Sequence, residues 1–139
     1  MRDINEITGI IIDAAIGIHR ELGPGLLESV YQSVLAAELR RRGLRVERNV
    51  AVDFEFNGMY FRDALRIDLL VEDTVIVELK SVERLAPVHP KQLLTYLRLT
   101  RRPVGLLLNF GAATLKEGIK RVVNDYQGPP LSPRPRAPA

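Results

Sequence analysis

The dipeptide Asn57-Gly58 lies between two runs in which apolar and polar residues alternate, and it constrains the chain more than any other feature. Asn-Gly suits a two-residue type I′ turn, whose central residues both need positive φ, and such a turn joins antiparallel strands. Before it, Leu44, Val46, Val50, Val52, Phe54 and Phe56 alternate with Arg45, Glu47, Asn49, Asp53 and Glu55. If Phe56 pairs with Met59, then Phe61, Leu65, Ile67 and Leu69 continue the apolar face, and Arg62, Arg66 and Asp68 fall on the polar one. A third strand, residues 75–80, returns through a turn at 72–74. Strands of this kind need helices to cover them.

Helical patterns flank the strands on both sides. Asp3-Ile4-Asn5-Glu6 has the form of a capping box, and Ile4, Ile7, Ile11, Ala14, Ile18 and Leu22 follow at helical spacing. Gly23-Pro24-Gly25 ends that helix. A second runs from about residue 27 to 42 on the stripe Val30, Tyr31, Val34, Leu35 and Leu39, with Gly43 as its C-terminal glycine. His89-Pro90 opens a third, which buries Leu93, Leu94, Leu97 and Thr100 and is broken by Arg102-Pro103. Residues 104–110 are apolar without alternation, as in a central strand covered on both faces. Thr114-Leu115-Lys116-Glu117 is a second capping box and predicts a final helix with Leu115, Ile119, Val122 and Val123 inward. The expected order is α-α-β-β-β-α-β-α: one mixed sheet flanked by helices, a single α/β domain over residues 1–127. Residues 128–139, GPPLSPRPRAPA, are expected to form a disordered proline-rich tail.

A chain of 139 residues can build one such core, not two. It has no cysteine, which excludes disulfides and thiolate metal sites. A net charge of +3 permits a nucleic-acid partner without requiring one. The early apolar run at 9–12 is short and flanked by Asp3, Glu6 and Asp13, so neither a signal peptide nor a membrane span is expected. The expected location is the cytoplasm.

Candidate chemistry is concentrated in IDLLVEDTVIVELKS, residues 67–81, an apolar hairpin that nevertheless carries Asp68, Glu78 and Lys80. Desolvating an unpaired ion is costly, so such charges need an explanation. Glu78 and Lys80 are two apart and share a face. A two-residue loop at 72–73 would set Asp68 opposite Val77 and separate the carboxylates. A three-residue loop, or a bulge, would set Asp68 opposite Glu78. Both registers are open to the sequence; we expect the second. Two carboxylates about 4 Å apart repel by roughly 4 kcal/mol at an effective dielectric of about 20. One then takes up a proton, Lys80 neutralises the pair, or a divalent cation lies between them. Hard oxygen donors without cysteine or clustered histidine favour Mg2+ or Mn2+ over zinc. The plainer alternative is a solvated strand face with a weak surface ion pair.

The arrangement Asp68…Glu78-Leu79-Lys80 resembles the PD-(D/E)XK nuclease superfamily. GPGLLESVY, residues 23–31, resembles the GxxExxY family of small bacterial proteins within it, with Gly25, Glu28 and Tyr31 at the motif positions. IDLLVEDTVIVELKSVE and HPKQLLTYLRLTRRPVGLLLNFG resemble its other blocks, so the resemblance runs from about residue 5 to 124. Ile67 stands where the superfamily's name has proline. The resemblance implies a restriction-endonuclease-like fold. It implies Asp68 and Glu78 as metal-binding carboxylates, with the backbone carbonyl of Leu79 as a further ligand. Lys80 would be the catalytic lysine, Glu28 an additional acid at the same site, and Gln92 a helix glutamine near the metal or its water. The implied cofactor is Mg2+ or Mn2+, and the implied reaction is hydrolysis of phosphodiester bonds in DNA or RNA.

Read as residues alone, Glu28 also suits a helix N-terminus, and His89 suits a helix start better than a metal site. Tyr96 shares a helical stripe with His89 and Gln92. Three basic clusters are candidate phosphate contacts: Arg40, Arg41 and Arg42; Arg98, Arg101 and Arg102; and Lys116, Lys120 and Arg121. Cations at helix C-termini also answer the helix dipole. No separate DNA-reading module is evident, so a homodimer or a protein partner is expected to supply specificity. The alternatives are a non-catalytic nucleic-acid-binding or protein-interaction module on the same framework, and a metal-dependent hydrolase of another substrate.

Overall fold

A computed structural model describes residues 2–125, and the proline-rich segment lies outside them. Five strands form one sheet in the order β1-β2-β3-β4-β5: β1 Val46–Phe56, β2 Met59–Val71, β3 Val75–Lys80, β4 Val104–Asn109 and β5 Ile119–Val123. Helices α1 (Ile4–Leu22) and α2 (Glu28–Arg41) precede the sheet, and α3 (Val88–Thr100) joins β3 to β4. Neighbouring strands are antiparallel except β3 and β4, which the α3 crossover makes parallel. No helix among the described residues is long and apolar enough to cross a membrane.

Local signals explain most of these elements. Asp3 caps α1 by accepting the Glu6 N–H at 2.8 Å. Asn57 and Gly58 both have positive φ, and Phe56 lies opposite Met59, as the Asn-Gly turn predicts. β4 is buried at every position, as its unalternating sequence requires. One side of the sheet packs Leu69, Val71, Val77, Leu79, Leu106 and Leu108 against Ile11, Tyr31, Leu35 and Leu39 of α1 and α2. The other packs Ile67, Leu70, Ile76 and Leu107 against Leu93 and Leu97 of α3. Each fully buried aliphatic side chain of this kind contributes about 1.5–3 kcal/mol. Gly105 allows α3 its close approach, because a Cβ there would stand 2.8 Å from Leu93 Cδ1.

Two expectations are corrected. The final helix is a strand. Its capping box does close, with the Glu117 N–H reaching Thr114 Oγ1 at 3.4 Å, but only a single 3-10 turn follows, Lys116–Gly118. Residues 119–123 then pair with β4, from Leu108↔Ile119 to Val104↔Val123. Ile119, Val122 and Val123 are β-branched, their spacing over five residues fits either period, and the open edge of β4 offers backbone bonds that a helix would leave unmade. The order is thus α-α-β-β-β-α-β-β.

The far half of the β1–β2 hairpin also departs from the expected pattern. Its apolar face has no cover among the described residues: Phe56 is 58% exposed and Met59 53%, while Phe54 and Phe61 stack on each other at 5.2 Å. A register shift between Val52 and Phe54 turns Asp53 inward, off the polar face expected for it. There it accepts the Asp63 N–H at 2.7 Å and the Tyr60 hydroxyl at 3.3 Å.

Candidate active site

The β2–β3 register decides whether the two carboxylates meet. Val71 lies opposite Val75, Leu70 opposite Ile76 and Leu69 opposite Val77, so residues 72–74 are the loop. One step further the same register sets Asp68 opposite Glu78. Side chain and backbone then interlock: the Asp68 N–H donates to Glu78 Oε1 at 3.3 Å, and the Leu79 N–H donates to Asp68 Oδ2 at 2.9 Å. Leu79 itself is buried in the core, which fixes the backbone between Glu78 and Lys80.

Burial and then the neighbouring Asp68 charge push the Glu78 carboxyl up to about 9, and the two carboxyl groups share a hydrogen bond. Lys80 pulls the other way and is outweighed. At neutral pH Glu78 therefore keeps its proton. Among the described residues no ion pair joins Lys80 to either carboxylate, so the plain surface salt bridge is not what this hairpin forms. The pair faces α3: burial, followed by the charges of Glu78 and Asp68, pushes the Tyr96 phenol up as well.

Glu28 is the first residue of α2 and exposed. Its Oε1 accepts the Ser81 N–H at 3.2 Å, immediately after Lys80. The loop before it is shaped by its own motif. Gly25 has φ 113, a conformation that only glycine adopts readily. Buried Tyr31, stacked on Phe110 at 4.4 Å, donates its hydroxyl hydrogen to the Gly23 carbonyl and accepts the Leu26 N–H at 3.2 Å. Ser81 Oγ closes the loop onto the sheet by donating to the Leu26 carbonyl at 2.8 Å. Glu28 and Asp68 line one cleft of about 190 Å3 with Ser29, Gln32 and Asn49.

Gln32, Asn49 and Asn109 have no place in the sequence-based site, yet they support it. Gln32 Nε2 donates to the Asp68 carbonyl and to Asn49 Oδ1, each at 3.0 Å. Asn49 has φ 51 and interrupts the β1–β2 ladder opposite Asp68. Asn109 pairs with Lys80 across β3–β4, and its Oδ1 accepts the Val82 and Gly111 N–H groups, each at 3.0 Å. Gln92 is exposed on α3, one turn before Tyr96, and among the described residues no hydrogen bond joins it to Asp68, Glu78 or Lys80. His89 accepts the Ala86 N–H at 3.1 Å, the helix-start role its position suggests.

Most of the arginine clusters serve the fold. Arg40 donates to the Val46 carbonyl, Arg41 and Arg42 hold Glu38, and Arg42 also reaches Asp13. Those guanidinium bonds hold the Glu38 carboxyl down at about 2. Arg121 binds Thr8 and Asn5, and Arg102 is wholly buried. Arg98, Arg101, Lys116 and Lys120 are left exposed. A larger cleft, about 770 Å3 between α1 and α2, contains none of the hairpin charges. Volume alone would point to the wrong face.

Among the described residues no three of His, Cys, Asp and Glu gather into a metal-holding group. An all-protein zinc cage is therefore a poor fit. Two converging carboxylates fit Mg2+ better, because that ion keeps several waters and commonly takes only one or two carboxylates. A half-buried pair sharing a proton is also what such a site looks like with the cation's charge replaced by H+.

No curated protein and no solved structure matches the chain. A family model does, and it runs from α1 into β5, residues 5–122, across the whole hairpin and its supports. By that match the chain belongs to the PD-(D/E)XK nuclease superfamily.

Proposed function

We propose that the protein is a metal-dependent nuclease of the GxxExxY type that hydrolyses phosphodiester bonds in DNA or RNA. The half-buried, cross-strand Asp68–Glu78 pair carries this reading, because two adjacent carboxylates repel each other unless a proton or a cation lies between them. Members of the superfamily generally use divalent metal ions. Here Asp68, Glu78 and the Leu79 carbonyl would hold Mg2+ or Mn2+, which supplies polarisation of a phosphoryl oxygen and a more acidic bound water. Glu78 gives up its proton when the ion is held. Lys80, half-buried at the end of β3, offers a positive charge to the phosphate as negative charge builds on it. Glu28 steadies the Ser81 backbone beside Lys80 and adds negative charge at the rim. Gln92, exposed on α3, would meet substrate or its water. Arg98, Arg101, Lys116 and Lys120 are exposed cations that would make phosphate contacts, and a homodimer or protein partner would supply specificity.

Cleavage of labelled DNA and RNA with Mg2+, Mn2+ or EDTA tests this. Wild type should cut only with metal. Lys80→Ala should lose about 10²–10³-fold in turnover, the scale of losing one electrostatic stabiliser, while still binding metal. Turnover equal to wild type in that variant would remove Lys80 from the mechanism. Metal binding without any cleavage would favour the non-catalytic module.

A further inference from the structure

We infer that Arg102 sets the register of the β2–β3 hairpin and so acts as a positioning residue for the carboxylate pair; its functional consequence rests on the metal site proposed above. Burial gives this register little guidance. β3 is apolar on both faces, with Val75, Val77 and Leu79 toward α1 and α2 and Ile76 toward α3. A one-residue slip of β2 along β3 keeps apolar neighbours for Leu69, Leu70 and Val71, and turns only Asp68 toward the unfavourable face, that of α1 and α2.

The turn has to supply what burial does not. Glu72 and Asp73 have φ of 53 and 52, the Thr74 N–H donates to the Val71 carbonyl at 3.0 Å, and yet Val75, not Thr74, lies opposite Val71. The two left-handed positions hold neither Gly nor Asn, so this backbone is unfavourable in isolation. It persists only if its surroundings hold it. Arg102, 0% exposed, does so with two donors to Asp73 and is itself anchored by a third. Nη2 reaches Asp73 Oδ1 at 2.7 Å, Nε reaches the Asp73 carbonyl at 3.1 Å, and Nη1 reaches the Thr100 carbonyl at 3.4 Å. From the other side Glu72 is held by Arg45: its carboxylate accepts the Arg45 N–H at 2.6 Å, and its N–H donates to the Arg45 carbonyl at 2.9 Å. A buried charge is a poor source of net stability, and specifying a register is its best-attested use. With the turn pinned, Asp68 faces Glu78. With Val71 against Thr74 instead, Asp68 would face Val77.

NMR of Arg102→Met, which keeps apolar bulk but not the fork of donors, tests the inference. Wild type should show cross-strand backbone contacts between Leu69 and Val77 and between Val71 and Val75. In Arg102→Met these should give way to Leu69–Ile76 and Val71–Thr74, and Mg2+ affinity should fall by about 10–100-fold, as for loss of an outer-shell partner. Asp73→Ala truncates a half-exposed turn residue and should move both readouts the same way, so it decides the question if Arg102→Met does not fold. Wild-type contacts and unchanged Mg2+ affinity in either folded variant, with only a lower melting temperature, would overturn the inference. If wild type itself binds no Mg2+, the proposed function fails, and the backbone contacts still decide the role of Arg102.

Discussion

At the turn end of the β2–β3 hairpin every acid meets a base: Asp73 lies 2.7 Å from Arg102, and Glu72 is bonded to the Arg45 backbone with the Arg45 guanidinium 3.7 Å away. At the open end of the same strands Asp68 and Glu78 lie side by side, and only a shared proton relieves them. Paired charges with fork geometry hold a strained backbone in one conformation. Two carboxyl groups held together on a rigid backbone do the opposite, leaving a site in which a bound cation can take the place of the shared proton. The first arrangement makes the second possible, because carboxylates that could drift apart would relax the repulsion without binding anything.

The largest expected effect lies at the turn. Arg102→Ala removes the partner of Asp73 and empties a buried volume, and should cost about 3–5 kcal/mol in urea unfolding. A loss below about 1 kcal/mol would mean that the turn does not depend on it, and the contrast between the two ends would collapse.

The open end should respond to pH, and the sign follows from Glu78. Its folded pKa, about 9, lies above the ordinary value of 4.5, so between these the folded protein holds a proton that the unfolded chain releases. This contribution is full below about pH 4.5 and is lost as pH rises through about 9, so metal-free wild type should lose stability across that window. One proton gives about 1.4 kcal/mol per pH unit. Glu78→Gln mimics the protonated acid and should flatten the slope; parallel slopes for the two proteins from pH 6 to 8 would show that Glu78 is not the group responsible.

The two ends also differed in how openly the sequence displays them. Asn57-Gly58 announces its turn because both residues tolerate positive φ, and Asp68, Glu78 and Lys80 stand out because apolar strands rarely carry charge. The 72–74 turn has no such signature, since its positive-φ residues are Glu and Asp. Its clamp, Arg102, lies 29 residues beyond Asp73 and looks like any cation ending a helix. The same limit hid Gln32 and Asn109, whose roles exist only once α2 and β4 are laid beside Asp68 and Lys80. Residues 119–123 were ambiguous for a different reason: five residues are too few to separate a strand period from a helix period, and the partner that decides, β4, is a tertiary one.

The smallest effect is the most direct test of the central claim that Asp68 and Glu78 form a cation site. Thermal melts of wild type and Asp68→Asn, each with and without Mg2+ at fixed ionic strength, compare a built site with a site missing one charge. For a dissociation constant of about 1 mM, ~10 mM Mg2+ should stabilise wild type by roughly 1.4 kcal/mol, from RT ln(1 + [L]/Kd). That is a few degrees in melting temperature for a domain of this size. Asp68→Asn should keep or raise the metal-free melting temperature, because its amide can donate to Glu78 where the shared proton did and leaves an oxygen for the Leu79 N–H, and it should lose the Mg2+ shift. No Mg2+ shift in wild type, together with a lower metal-free melting temperature in Asp68→Asn, would contradict the account.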